Sequence, residues 1–96
     1  MTTDALAWVA LLVDGRLVRG EGNAEVWALA RDAGWAEGTA RRNELRLVEA
    51  HRPDVEARLD RVWPTWRGDL EALAAAGLSP TRAGWQALQD MRRRDR

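Results

Sequence analysis

Two adjacent arginines and an asparagine are the side chains of this sequence best suited to molecular recognition. Arg41, Arg42 and Asn43 follow one another directly. A guanidinium can donate two parallel hydrogen bonds to guanine, and an asparagine amide can pair in the same way with adenine. These residue types therefore predict contacts to the base edges of double-stranded DNA. The polar neighbours that could add base or phosphate contacts are Glu37, Thr39 and Arg46.

The elements that must position these side chains have the spacing of a helix-turn-helix. Ala30 is small enough for two helices to cross closely, and Gly34 suits the left-handed conformation in which a helix ends. Trp35 follows as an apolar plug, and Ala40 and Leu45 provide core contacts for a second helix. The pattern predicts a helix-turn-helix over about residues 24–50, whose second helix starts at residue 36 or 37 and enters the major groove.

A weaker helix-turn-helix-like unit is predicted over about residues 69–92. Gly77 would end its first helix, and Ala83 and Leu88 repeat the spacing of the first unit. Ser79 would cap the last helix and Pro80 would occupy its first position. The additional DNA-contacting residues predicted there are Thr81, Arg82 and Gln86.

The segment from Gly34 to Arg42 resembles the recognition-helix entry of bacterial and phage helix-turn-helix domains. Its pattern is similar to response-regulator output domains, sigma-type regions and transposase-like regulators. The continuation through Leu45–Val48 and Pro53–Val55 resembles plasmid-partition proteins. Trp35 is larger than the usual residue, and Ala36 replaces the usual Ser or Thr cap. The resemblance implies an all-α fold and DNA binding.

The whole chain, residues 1–96, is predicted to be a single compact all-α domain of five to six helices. Its 96 residues suit one modest core. Further helices are expected over 54–63, from residue 66 or 69 to 76, and from 81 to about 92. Residues 9–18 allow two interpretations: a helix, which the Ala/Leu-rich stretch favours, or a hairpin around Asp14-Gly15.

Composition narrows the classes of chemistry. The chain has no cysteine and one histidine, so we expect neither a protein-only metal site nor a cofactor. No pair of acids stands near a nucleophile in a pattern typical of catalysis, and we expect no enzyme activity. The sequence shows no apolar run of about 20 residues that could span a membrane. A cytoplasmic location is the expectation.

Charge leaves two function classes open. The net charge is zero and every basic residue is arginine, but arginine exceeds acid after Gly38 and again near the C-terminus. Sequence-specific DNA binding, by a small transcriptional regulator or a phage or mobile-element accessory protein, is the leading hypothesis. The alternative is a protein-binding helical module, such as a phage-encoded inhibitor or an assembly adaptor. A homodimer would use Trp8 and the Leu6-Ala10-Val13 face.

Overall fold

The chain folds into helices and a small sheet rather than helices alone. The computed structural model describes residues 3–20 and 22–95, and in these ranges five α-helices accompany a three-stranded antiparallel sheet. The all-α prediction is therefore wrong, because the protein is mixed α/β. The chain divides into two compact units, Met1–Pro64 (unit 1) and Thr65–Arg96 (unit 2).

Unit 1 contains the sheet and unit 2 is a helix pair. The elements of unit 1, in chain order, are α1 (Thr3–Asp14), β1 (Arg16–Val18), α2 (Ala24–Asp32), β2 (Ala36–Gly38), β3 (Glu44–Leu47), a short 3-10 turn (Glu49–His51) and α3 (Arg52–Val62). The elements of unit 2 are α4 (Trp66–Ala75) and α5 (Arg82–Arg94).

Helix α1 is the centre of unit 1. It is apolar on nearly every side, which is typical of a helix covered all round. It contacts α2, α3 and the sheet. Trp8 is 1% exposed and meets the Trp35 ring edge to face, with 5.7 Å between centroids. Trp8 therefore lies in the core and is not available for the dimer contact predicted for it.

Residues 9–18 are part helix and part strand, and the change between the two occurs at Gly15. Helix α1 continues to Asp14, and Gly15 then takes a φ of 72°, a left-handed conformation that glycine adopts without a Cβ penalty. The chain leaves as strand β1, which pairs with β3 rather than folding back on α1. The structure thus combines part of the predicted helix with a strand that the hairpin interpretation placed at residues 16–18.

The sheet has the order β1-β3-β2, with the last strand in sequence at its centre. Leu17 pairs with Leu45, and Ala36 pairs with Leu47. All four of these side chains are buried, whereas Arg46 between the two leucines is exposed. One face of the sheet therefore packs on the core, and the opposite face carries charged residues.

The segment predicted as the recognition helix is a β-hairpin. Gly34 does end α2, with a φ of 77° and a hydrogen bond from the Trp35 N–H to the Ala30 carbonyl, as predicted. The chain then forms β2, a loop over residues 39–43, and β3. Ala40, predicted as a core contact, is exposed on that loop. The predicted second helix, from residue 36 or 37 to about 50, is therefore wrong.

Arg52 joins α3 to the end of α1. Its Nη1 donates to the Leu12 carbonyl at 2.9 Å, and its Nε and Nη2 donate to the Glu49 carboxylate at 2.9 and 3.1 Å. The hydrogen bonds from Arg52 lower the pKa of the Glu49 carboxyl. This contact gives the last turn of α1, whose final carbonyls have no partner within the helix, one of the donors that it needs.

Unit 2 consists of two helices around a tight turn. Gly77, with a φ of 70°, follows the end of α4 as predicted. Thr81, rather than Ser79, is the N-cap of α5, and its hydroxyl accepts a hydrogen bond from the Gly84 N–H at 3.1 Å. Asp69, 6% exposed, accepts hydrogen bonds from Arg92 Nη2 at 2.8 Å and from the Thr65 hydroxyl at 2.7 Å. The hydrogen bond between Arg92 and Asp69 joins α5 to α4.

Candidate nucleic-acid interface

A groove of about 690 Å³ crosses the exposed side of the sheet and the base of the hairpin loop in unit 1. It joins residues from the end of α1, from all three strands and from the loop. Its lining residues are Asp14, Gly15, Arg16, Glu37, Gly38, Thr39, Ala40, Arg41, Glu44, Arg46, Leu47 and Val48.

Two arginines of the groove lining are neighbours on adjacent strands. Arg16 on β1 and Arg46 on β3 are directly opposite in the antiparallel register, and both are exposed. Like charges in this position repel and destabilise a sheet. Within residues 3–20 and 22–95, neither guanidinium has a hydrogen bond or an ion pair. The arrangement leaves two adjacent positive charges available to an anion.

Among the described residues, no carboxylate lies within ion-pair distance of Arg16 or Arg46. Glu37 on β2 is opposite Arg46 in the register, yet the structure shows no ion pair between them in its described part. Glu44 is 13% exposed in its side chain and lies 3.9 Å from Arg41, at the long end of ion-pair distances. The positive charges therefore reach solvent more fully than the negative charge of Glu44.

The loop between β2 and β3 is held in a defined shape by hydrogen bonds at both of its ends. The Thr39 hydroxyl accepts a hydrogen bond from the Arg41 N–H at 3.1 Å. Asn43 has a φ of 66°, a left-handed conformation that asparagine tolerates better than most residues, and its carbonyl accepts from the Arg19 N–H at 2.8 Å. Both ends of the loop are therefore anchored, and Arg41 and Arg42 are exposed on it.

The structure gathers some of the predicted DNA-contacting residues and separates others. Glu37, Thr39, Arg41 and Arg46 line the groove, although on strands and a loop instead of a helix. Arg42 and Asn43 lie on the loop but outside the lining. The predicted direct readout by Arg41, Arg42 and Asn43 from a recognition helix loses its structural basis, because these residues lie on a loop.

The residues predicted to contact DNA in unit 2 lie at the start of α5, where two of them have structural roles. Thr81 caps the helix through its hydroxyl. Gln86 donates a hydrogen bond from Nε2 to Asp90 one turn later, at 3.1 Å. Arg82, the first residue of α5, is exposed and takes part in a polar or ring interaction within the protein. The groove belongs to unit 1 and includes none of the three.

Sequence reasoning missed Arg16, which is the partner of Arg46 in the groove. A partial signal was present, because Glu44-Leu45-Arg46-Leu47 alternates polar and apolar residues, although Arg16-Leu17-Val18 does not. Alternation of this kind indicates a strand with one buried face. Each stretch is only three or four residues long, and the helical interpretation of the surrounding Ala-rich sequence outweighed it.

No protein-family model matches the chain, and no curated protein or solved structure shows significant similarity to it. Among the described helices, none has the length and apolar character that crossing a bilayer requires. Across residues 3–20 and 22–95, no cluster of three or more His, Cys, Asp or Glu is arranged to hold a metal ion.

Proposed function

We propose that unit 1 binds double-stranded DNA through the groove arginines and the β2–β3 loop. The observation that carries the proposal is the facing pair Arg16 and Arg46, which lacks a carboxylate partner among the described residues. A sheet that keeps two like charges opposite each other loses stability. Phosphate groups would relieve that repulsion, since each guanidinium can donate two hydrogen bonds to phosphate oxygens.

The balance of exposed charge supports an anionic ligand. The groove is lined by three arginines and three acids, so a simple count predicts neutrality. Glu44, however, is largely buried beside Arg41. The loop also adds a further exposed arginine next to the groove, at Arg42. The solvent-facing balance is therefore positive, although the chain as a whole has zero net charge.

Phosphate contacts of this kind position a protein on DNA without reading its sequence. The affinity that we propose is therefore led by electrostatics, and specificity must come from additional contacts. A small transcriptional regulator, or a phage or mobile-element accessory protein, acting in the cytoplasm is the role that this proposal suits.

A salt titration of DNA binding tests the proposal. The full chain is expected to bind a duplex of about 20 bp at low salt, and neutralisation of DNA charge by Arg16, Arg41, Arg42 and Arg46 predicts a slope of log K against log[salt] of about −3 to −4. Arg16→Ala combined with Arg46→Ala should make the slope shallower by about 1.8, since each lost phosphate contact removes about 0.9. Fluorescence anisotropy of a labelled duplex measures both quantities.

A matched double variant separates local from general charge. Arg31 and Arg61 are exposed and do not line the groove. Replacing both with alanine also removes two positive charges, and we expect the salt slope to stay close to that of the wild type. Equal effects of the two double variants, or no duplex binding by the wild type at about 50 mM salt, would contradict the proposal. The second result would favour the protein-binding alternative.

A further inference from the structure

The loop between β2 and β3, residues 39–43, continues beyond the paired residues of these two strands. Strand β3 is flanked by β1 and β2, and the ladder closes with the Thr39 N–H donating to the Glu44 carbonyl. Neighbouring strands lie about 4.8 Å apart, so the outer backbones of three strands are about 10 Å apart before side chains are counted. A sheet of this width fills the major groove of DNA, which is about 12 Å wide, without leaving room for its side chains.

The loop, by contrast, is narrower than the sheet and carries long side chains. Arg41 is 77% exposed in its side chain, and Arg42 beside it is exposed as well. In the described part of the chain, Arg42 has no ion-pair partner. Arg41 is held only loosely by Glu44 at 3.9 Å. Both guanidinium groups can therefore reach away from the sheet into a space that the strands cannot enter.

The minor groove of DNA matches this shape and charge. It is about 6 Å wide, which admits arginine side chains but no sheet. A·T-rich tracts narrow it further and deepen its negative potential, which attracts inserted arginines. Arginine suits this site better than lysine because its guanidinium is less strongly hydrated.

We infer that the β2–β3 loop inserts Arg41 and Arg42 into the minor groove and favours A·T-rich duplexes. This inference rests on the proposed function, because Arg16 and Arg46 would hold the phosphates beside that groove. The hydrogen bonds of Thr39 and Asn43 that anchor the loop lower the cost of ordering it on binding. Readout would come from the shape of the groove rather than from base-specific pairing.

Three duplexes of equal length test the groove assignment. One carries a central A·T tract, one carries G·C pairs, and the third carries inosine·cytosine pairs. Inosine lacks the amino group that guanine presents in the minor groove but keeps the acceptors of guanine in the major groove. We expect the full chain to bind the A·T and inosine duplexes about tenfold more tightly than the G·C duplex.

A conservative variant identifies the residues responsible. Arg41→Lys combined with Arg42→Lys keeps both charges, so the salt slope should remain, while the preference for A·T and inosine duplexes should fall at least severalfold. Equal binding of the wild type to all three duplexes, or grouping of inosine with G·C, would overturn the minor-groove inference and leave the proposed function standing. Failure to bind any duplex at low salt would overturn both.

Discussion

Replacing Trp8 with alanine is expected to lower the free energy of unfolding by about 3–5 kcal/mol, the range observed when a large aromatic side chain is removed from a core. Trp8 is 1% exposed at the centre of α1, and α1 contacts every other layer of unit 1. The truncation also removes the edge-to-face contact with Trp35, which is worth about 0.5–1.5 kcal/mol beyond its buried area. Small domains have only about 5–15 kcal/mol of total stability, so a large part of it would be lost.

Urea unfolding followed by circular dichroism is the appropriate measurement, since a tryptophan is itself deleted. Trp27→Ala is the matched control. Trp27 is half-buried, with the guanidinium groups of Arg19 and Arg31 at 5.2 and 5.0 Å from its ring centre. We expect a clearly smaller loss of stability for this variant. A Trp8→Ala protein as stable as the Trp27→Ala protein would show that Trp8 is not the centre of the core.

The parts of the fold that the sequence predicts best are helices with local end signals. The first helix of the predicted helix-turn-helix, which begins at about residue 24, is observed as α2, Ala24–Asp32, and Gly34 follows it in the left-handed conformation. Asn23 directly precedes α2, and asparagine is a residue type that often caps helices. Its side chain, however, bonds to the Gly20 N–H and the Val18 carbonyl instead of capping the helix. Such signals depend on a few neighbouring residues, so they survive without knowledge of the rest of the chain.

The hairpin is predicted poorly because its cause is not local. Residues 36–47 contain Ala, Arg, Glu and Leu, all good helix formers. Gly38 and Asn43 weaken that tendency, and β3 is held in place by pairing with β1 from a distant part of the sequence. Helix propensity is a weak prior that tertiary pairing overrides. The buried Leu17 and Leu45 are paired across the sheet, and they lie too far apart in the sequence to share a pattern window of about 11–18 residues.

The same non-local pairing explains which site residues could be predicted. Thr39, Arg41 and Arg46 were named from residue type, and they do line the groove. Their residue types could therefore be read from the sequence, but their placement on strands and a loop could not. Arg16 becomes significant only because the β1–β3 register places it opposite Arg46. A prediction of strand pairing, rather than a motif search, would have been needed to find it.

Gly84→Ala is expected to destabilise the protein, although alanine is normally the better helix residue. Gly84 lies in the first turn of α5, and a Cβ built there would meet the backbone of Ser79, clashing with its carbonyl oxygen and lying 3.1 Å from its carbonyl carbon. Backbone atoms cannot move aside as a flexible side chain can. The turn over residues 79–81 must therefore shift, and overpacking of this kind costs about 1–3 kcal/mol. The shift also strains the hydrogen bond from the Gly84 N–H to the Thr81 hydroxyl, a cap worth about 1 kcal/mol.

Gly68→Ala is the control for the direction of the stability change. Gly68 lies in α4 with no heavy atom within 4 Å of an added Cβ, so alanine there should raise the free energy of unfolding by up to about 1 kcal/mol. Thermal unfolding of the full chain should therefore shift in opposite directions for the two variants. A rise in the melting temperature for Gly84→Ala, as expected for Gly68→Ala, would contradict the close approach of α5 to the Ser79 backbone. If Gly84→Ala lowers the melting temperature, glycine is required at residue 84 because backbone atoms occupy the space that a side chain would need.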